Sequence, residues 1–312
     1  MFATFDSPEI GAIDSSVISQ HLLRGEPWSR GVPELLRPLT RVLPNNDLAS
    51  VEGLLRRHGD VAAVILEPTG ASGGTIPLAS GFLEGLRELC TRYGAKLIFD
   101  EVITGFRVAP GGAQERFGVW PDLTCLAKIL AGGMPGGAVC GPRASLAPME
   151  FSGDGTRDRL RRVVQYGTFN ASPVCAAAGV AALALVEGGA PCREAEAFAV
   201  ALRGGLNELF RTEDVPAAAY GFSSIFHLFT AEPAAARLLR DGEVSAEQIH
   251  AGMLKKKGPL DGLLRQALLL EGVDLPPGRQ AWTSAAHGKA ELEETLAAFS
   301  RAIGALRQLG CW

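Results

Sequence analysis

The chain has 312 residues, 47% of them hydrophobic and 21% charged, which suits a globular protein with about two domains. Its net charge of −4 offers no broad basic surface, and this argues against a nucleic-acid partner. No apolar run approaches the roughly 18 residues of a membrane helix, and the N-terminus lacks a signal-peptide pattern. The cysteines are scattered and form no C-x-x-C pair, so we expect no metal site. We also expect reduced thiols and a cytoplasmic location.

Helices and short apolar strands alternate along the first part of the chain. Residues 1–32 are weakly patterned, with a short helix possible at 18–23. Apolar residues at helical spacing predict helices at 47–57, with Asn46 or Asp47 as N-cap, and at 81–93 and 171–185. Apolar runs typical of strands buried on both faces predict strands at 61–66 and 96–99, and two further short strands are predicted at 123–126 and 137–140.

This alternation predicts an α/β fold with a mainly parallel sheet. Chemistry in such sheets gathers at the carboxyl ends of the strands. Glu67, Asp100 and the loop that carries Lys128 each follow a predicted strand. We therefore expect these three residues to belong to one site.

The pattern changes after about residue 188, where a separate α+β unit begins. The predicted organisation is a poorly patterned segment at 1–32, a large domain at 33–190 and a small domain at 191–312. In the small domain we predict helices at 194–210, at 245–270 with interruptions near Gly252 and Gly258, and at 289–309. Strand-like stretches are at 221–230, 272–275 and 282–287.

Lys128 stands apart from the other lysines. The chain has six lysines against twenty-four arginines, and three of the six form one run at 255–257. Lys128 has apolar neighbours and a glycine-rich turn at 132–137 directly after it. Such a lysine is often desolvated, which favours the nucleophilic amine. The alternative is a lysine with a packed stem and a solvated head, and the local sequence leaves both open.

Asp100, at the end of an apolar strand, also has two interpretations. It could cap the following segment or pair with Arg107. Alternatively, a buried carboxylate followed by a lysine on a glycine-rich loop suits pyridoxal phosphate (PLP) chemistry, in which a carboxylate keeps the pyridine nitrogen protonated. The spacing of Asp100 and Lys128 allows one strand–helix–strand passage between them.

Several motifs, in order, give a specific family resemblance. Residues 97–107 (LIFDEVITGFR), 111–114 (GGAQ), 118–122 (GVWPD) and 126–133 (LAKILAGG) resemble the core motifs of class III PLP-dependent aminotransferases, in particular glutamate-1-semialdehyde 2,1-aminomutase and related enzymes. Residues 67–68, 166–170 and 283–287 also fall where that family has counterparts. The resemblance runs from about Gly31 to the C-terminal helix and implies a fold-type-I PLP-dependent transferase.

The resemblance implies roles for the residues of the motifs. Lys128 would form the Schiff base with pyridoxal 5'-phosphate and move protons, and Asp100 would bind the pyridinium nitrogen. Val102 would pack on the face of the ring, and Ile103 would lie close to it.

Further roles follow from the same resemblance. Thr168 would donate to the cofactor phosphate of a neighbouring subunit, which implies a homodimer. Glu67 would stand near the cofactor, although a solvated or salt-bridged carboxylate is its alternative. Arg107 is expected to be a structural partner of a carboxylate, and His287 a packing residue.

The sequence also departs from the family pattern. Residues 1–30 contain no glycine- and serine-rich phosphate loop at a helix start and no tyrosine that could stack on the ring. We therefore expect a family member without its N-terminal part, and an incomplete sheet. Residues 276–283 are shorter than the aminomutase pattern and lack its acidic residue, which favours a related aminotransferase of unknown substrate.

The resulting hypothesis is PLP-dependent transamination, with amino-group transfer between an amino acid or amine and a carbonyl compound. One alternative is a glutamate-1-semialdehyde-type aminomutase. Another, of a different class, is a catalytically inactive homologue that acts as a binding or interaction module.

Overall fold

The protein is described by a computed structural model that covers residues 2–5, 22–23, 26–27, 39–70, 73–165, 167–249, 251–255, 258, 261–276 and 280–311. Its contacts group into two compact units: residues 1–68 with 80–188, and residues 69–79 with 189–312. The segment 69–79 thus groups with the second unit, whereas the sequence placed it in the large domain. The division at 1–32, 33–190 and 191–312 stays a prediction.

The first unit contains a six-stranded sheet and a separate two-stranded sheet, which is formed by residues 22–23 and 26–27. The strands are β1 (Phe2–Phe5), β2 (Leu22–Leu23), β3 (Glu26–Pro27), β4 (Thr40–Leu43), β5 (Ala63–Leu66), β6 (Lys96–Asp100), β7 (Leu123–Ala127) and β8 (Gly137–Cys140). The sheet order is β4–β1–β5–β6–β7–β8. Every neighbouring pair in it is parallel except β7 and β8, which are antiparallel.

Six α-helices accompany this sheet in the described residues. They are α1 (Leu48–Arg57), α2 (Phe82–Tyr93), α3 (Gly112–Phe117), α4 (Arg143–Leu146), α5 (Gly155–Leu160) and α6 (Pro173–Val186), with 3-10 turns at Lys128–Ala131 and Ala147–Met149. Asp47 caps α1 as predicted, because its side chain accepts from the Ser50 backbone N–H at 2.9 Å. The buried side of α2 includes Leu86, which is fully buried.

The second unit has its own core around a small antiparallel sheet. Its elements are α7 (Ala190–Thr212), β9 (Ala218–Tyr220), β10 (Ile225–Phe229), α8 (Pro233–Arg240), α9 (Ala251–Lys255), α10 (Asp261–Leu270), β11 (Gln280–Trp282) and α11 (Lys289–Gln308). The sheet order is β11–β10–β9. Phe210 and Phe299 are fully buried and meet edge-on, with ring centroids 6.3 Å apart. This aromatic pair joins α7 to α11.

Segment 69–79 is tied to this unit by two polar contacts. A ring nitrogen of the buried His227 lies 2.9 Å from the Gly73 carbonyl oxygen. The Tyr220 hydroxyl donates to the Thr75 carbonyl at 2.9 Å, and the Tyr220 and His227 rings stack at 5.1 Å. A chain segment that follows β5 in sequence therefore belongs to the second unit by its contacts.

Several element predictions were wrong in detail. Leu22 and Leu23 form a strand instead of a helix, and residues 18–21 of that prediction lie outside the described residues. Residues 272–275 are not a strand, since the Val273 N–H donates back to the Leu268 carbonyl and closes α10. The strand predicted at 282–287 lies at Gln280–Trp282 instead. Gly252 lies inside α9 and does not interrupt a helix.

All six cysteines are free. Within the described part of the chain, no single helix is long and apolar enough to cross a membrane.

Candidate active site

The predicted site residues follow three neighbouring parallel strands. Leu66 pairs with Phe99 between β5 and β6, and Asp100 pairs with Cys125 between β6 and β7. Glu67 therefore follows β5 at the level where Asp100 ends β6, and Lys128 directly follows β7. The register thus places all three residues at the same edge of the sheet, and that they form one site stays a prediction.

Asp100 is a buried carboxyl held by its own loop. It is 5% exposed, and its Oδ1 accepts from the Val102 N–H at 3.0 Å. Burial raises the pKa of Asp100 to about 6, although the Val102 N–H and the positive charge of Lys128 act to lower it. Asp100 thus caps the segment after β6, as one interpretation predicted. Its carboxyl is also electrostatically coupled to Lys128.

Lys128 begins the 3-10 turn that leads from β7 to β8, with a φ of 50°. A side chain in this left-handed region is uncommon, and such strained residues cluster at functional sites. The residue is exposed, and only Ala131 of the four-residue turn is buried. The exposed position agrees with the alternative of a lysine with a solvated head, because too little of the turn is packed to exclude water from it.

The other predicted residues lie in different environments. Glu67 is buried with 6% exposure, so the solvated alternative does not hold. Ile103 is buried as well, and Val102 is half-buried. Thr168 is exposed in the turn that precedes α6. Its role towards a neighbouring subunit stays a prediction.

The two residues expected to be structural make local contacts. Arg107 donates its Nε–H to the Ile103 carbonyl at 3.1 Å, within the loop after β6. His287 packs against Phe198 in the second unit, with ring centroids 5.0 Å apart. A cavity of about 310 Å³ in the second unit is lined by Phe198, His287 and other residues of that unit, and its lining includes none of the predicted site residues.

Glu101 is a site-supporting residue that the sequence did not reveal. It is fully buried, and its carboxylate accepts from the Thr104 hydroxyl, the Ala113 and Gln114 N–H groups and the Gln114 side-chain amide, at 2.5–3.1 Å. Burial raises the pKa of Glu101, although these hydrogen bonds act to lower it. Glu101 thus ties the start of α3 to the end of β6, and so holds both ends of the loop that contains Val102 and Ile103. The signal in the sequence that could have revealed Glu101 is the acidic pair at 100–101, in which one carboxyl serves the site and the other holds the loop.

These residues fit the ring side of a PLP site. A pyridine nitrogen that carries a proton needs a carboxylate partner with little access to water, and Asp100 has that burial. An ammonium lies near enough to affect the pKa of that carboxyl. For the phosphate of the cofactor, the predicted site residues offer only the hydroxyl of Thr168, which is exposed in a turn.

Comparison with known proteins gives one family. The family model described as Aminotransferase class-III matches residues 19–235. Glutamate-1-semialdehyde 2,1-aminomutase of Hyperthermus butylicus is 39% identical over 286 residues, which are 91% of this chain and 62% of that protein. The protein of the same name from Thermomicrobium roseum is 37% identical over 89% of this chain and 61% of its own length.

Solved structures agree with the family match. An omega-transaminase from Sphaerobacter thermophilus superposes with a TM-score of 0.78 at 31% identity, over 98% of this chain and 68% of that one. A glutamate-1-semialdehyde aminomutase from Pseudomonas aeruginosa PAO1 gives a TM-score of 0.71 at 26% identity, over 98% and 66%. The α/β fold class and the family resemblance are thereby confirmed. The chain spans about three fifths of the length of these curated relatives.

Proposed function

The chain belongs to the class-III aminotransferase family, and we propose that it transfers an amino group between an amino acid or amine and a carbonyl compound, with PLP as cofactor. The observation that supports this chemistry is the pair formed by Asp100 and Lys128. They end or follow neighbouring parallel strands, and the charge of Lys128 offsets part of the rise that burial causes in the pKa of the Asp100 carboxyl. Because the chain matches only part of its relatives, the activity, substrates and partners of a whole family member are proposals here.

In this proposal, Asp100 binds the protonated pyridine nitrogen of the cofactor. A cationic partner favours the ionised carboxyl, which burial by itself disfavours. Val102 and Ile103 flank the ring, and the Glu101 hydrogen bonds keep the loop that carries them in place. PLP, when bound, supplies the electron sink for the substrate carbon.

Lys128 has two tasks in the proposal. Its Nζ would hold the cofactor covalently, and as a free amine it would accept a proton from the substrate and return it. Both tasks need the unprotonated amine, because only a free electron pair on the nitrogen can form the bond or accept the proton.

The phosphate is assigned to Thr168 of a neighbouring subunit, which makes a homodimer part of the proposal. One exposed hydroxyl offers one or two hydrogen bonds, each worth about 1.5–3 kcal/mol with a charged group. Glu67, buried at the end of β5, is assigned to the surroundings of the cofactor.

A trapping experiment tests the role of Lys128. The chain is incubated with PLP and reduced with borohydride, and the modified peptide is identified by mass spectrometry. We expect a visible absorbance band before reduction and a cofactor adduct on Lys128 after it. Lys128→Ala should lose both.

Lys96→Ala is the matched control, because Lys96 is an exposed lysine at the start of β6 that pairs with Asp122. It should keep the band and the Lys128 adduct. If the wild-type chain acquires no cofactor on Lys128, the proposed chemistry is wrong and the interaction-module alternative gains support.

An aminomutase is the second candidate, favoured by the names of the curated relatives. An aminomutase moves the amino group within one carbon skeleton, whereas a transaminase needs a separate carbonyl acceptor. Turnover of an amino substrate without any added carbonyl compound would support the aminomutase. Strict dependence on an added acceptor would support transamination.

A further inference from the structure

Helix α11 carries carboxylates at the start of the side that packs on the core of the second unit. Glu291 lies seven residues, about two turns, before the fully buried Ala298, so both lie on the same side of the helix. Glu294 and Thr295 are neighbours of Glu291 on the helix surface, at spacings of three and four residues. The side of a helix that packs on a core is normally apolar throughout. The first two turns of α11 therefore face a different environment.

That environment is the cavity of about 310 Å³ described above, which Glu291, Glu294 and Thr295 line. Aromatic side chains of three other elements line it as well: Phe198 of α7, Phe226 of β10 and Trp282 of β11. Pockets that bind small molecules have volumes of about 300–1,000 Å³ and a mainly apolar lining with a few polar groups. The cavity thus has the size and the composition of a small-molecule site.

The charged side chains of the lining are acidic. They are Asp274, Glu291 and Glu294, and the described lining contains no lysine or arginine. Its histidine, His287, accepts from the Ser284 N–H through Nδ1 at 3.2 Å, and a ring nitrogen that accepts a hydrogen bond carries no proton. The imidazole is therefore neutral in this arrangement. The charges of the lining favour a cation and disfavour an anion.

Glu294 is the carboxylate that is available to a ligand. Asp274 Oδ1 lies 3.3 Å from Nη2 of Arg265, which is outside the lining. Glu291 accepts from the Gly288 N–H at 2.7 Å and so caps the start of α11. Within the part of the chain that the structure describes, the Glu294 carboxylate has no hydrogen bond and no ion pair.

Trp282 adds a hydrogen-bond donor without a partner. Its indole Nε1 is buried and meets no acceptor among the described residues. A buried N–H of this kind is uncommon in a folded protein, because it has lost its contact with water and gained no bond in exchange. An oxygen atom of a molecule in the cavity would supply the missing acceptor.

We propose that the cavity binds a small organic ammonium ion that also carries an oxygen acceptor. The ammonium group lies among the aromatic side chains and next to Glu294, because aromatic faces and a carboxylate both attract a cation. The oxygen accepts from the Trp282 Nε1–H. The inference concerns a second site and does not depend on the PLP chemistry proposed above, since the described lining contains none of the residues assigned to the cofactor.

Choline is the probe, because it combines a quaternary ammonium group with a hydroxyl oxygen and cannot form a Schiff base. Its uncharged match is 3,3-dimethyl-1-butanol, in which a carbon atom replaces the nitrogen. An NMR titration of the chain without PLP follows the nine equivalent methyl protons of either compound and gives its dissociation constant. We expect choline to bind at least about tenfold more tightly than the alcohol.

Glu294→Gln is expected to weaken choline binding at least about fivefold and to leave binding of the alcohol unchanged. Glu293→Gln is the matched control, because Glu293 is the adjacent exposed residue of α11, pairs with Lys289 at 3.5 Å and does not line the cavity. It should leave binding of both compounds unchanged. Trp282→Phe removes the indole N–H and should weaken both. Circular dichroism checks that the three variants fold.

Several outcomes would overturn the proposal. They are absence of choline binding up to about 10 mM, equal binding of choline and the alcohol, and equal effects of the two glutamate variants. Loss of choline binding in Lys128→Ala would also overturn it, because the choline would then lie at the site proposed for the cofactor. Binding that Lys128→Ala retains and Glu294→Gln weakens is the expected result, and it holds whether or not the chain acquires PLP.

Discussion

Asp100→Asn is expected to stabilise the cofactor-free chain at neutral pH. The amide has nearly the shape of the carboxyl, and its Oδ1 can still accept from the Val102 N–H. What the substitution removes is a charge that burial disfavours. The folded-state pKa of about 6 lies some 2 units above the ordinary 3.8, which corresponds to about 3 kcal/mol.

The sign of the pH dependence follows from the raised pKa. The folded chain binds the Asp100 proton more tightly than the unfolded chain does. The protonated carboxyl therefore makes its full contribution to the free energy of unfolding below about pH 4, and this contribution is lost as the pH rises through about 6. We therefore expect the advantage of Asp100→Asn over wild type to be about 3 kcal/mol at pH 7.5 and about 1 kcal/mol at pH 4.5.

Urea unfolding followed by circular dichroism at the two pH values, without PLP, measures this difference. Asp60→Asn is the control, because Asp60 is exposed and its substitution should change the unfolding free energy by less than about 0.5 kcal/mol. Equal or lower stability of Asp100→Asn at pH 7.5, or an advantage that does not change with pH, would refute the reasoning. A destabilising buried carboxyl is the pattern expected of a residue kept for function.

Two further pairs of substitutions test the surroundings of the site and the helix cap. Gly112→Ala places a Cβ 2.2 Å from Glu101 Oε2 at a φ of 76°, so its unfolding free energy should fall by more than about 2 kcal/mol. Gly118→Ala is the control, because Gly118 has a similar φ of 67° and open space around it, and its unfolding free energy should fall by only about 1 kcal/mol. Equal losses for the two variants in urea unfolding would contradict the role of Glu101. Asp47→Ala removes the cap of α1 and should lower the unfolding free energy by about 1 kcal/mol, whereas Asp47→Ser should retain most of the wild-type stability. A loss of the same size in both variants would show that the cap hydrogen bond is not the cause.

Local patterns in the sequence were sufficient for most elements around the site. Apolar runs identified β5 and β6, which are largely buried, because a strand buried on both faces must be apolar throughout. The short apolar stretches at β7 and β8 were recognised as well, although three of the four residues of β8 are exposed. Helical spacing and Asp47 located α1. The placement of Glu67, Asp100 and Lys128 at one sheet edge also followed from the sequence, since parallel strands bring their carboxyl ends together.

Other features depend on contacts between residues far apart in the chain, which no local pattern encodes. The antiparallel direction of β8 and the position of β1 between β4 and β5 are set by pairing partners. Segment 69–79 groups with the second unit through Tyr220 and His227, about 150 residues later. The segment itself, TGASGGTIPLA, has no local pattern that points to that unit.

The chemistry of the site divides in the same way. The sequence by itself identified the residues that are proposed to carry it, because Asp100 and Lys128 lie in ordered motifs that resemble one family, and the family is shown by the match over residues 19–235. Only the tertiary structure decided their states: burial and the nearby lysine charge set the Asp100 pKa, and sparse packing around the turn at 128–131 leaves Lys128 exposed. A pKa reflects the total of solvent, charges and hydrogen bonds around one atom, and folding alone brings these together.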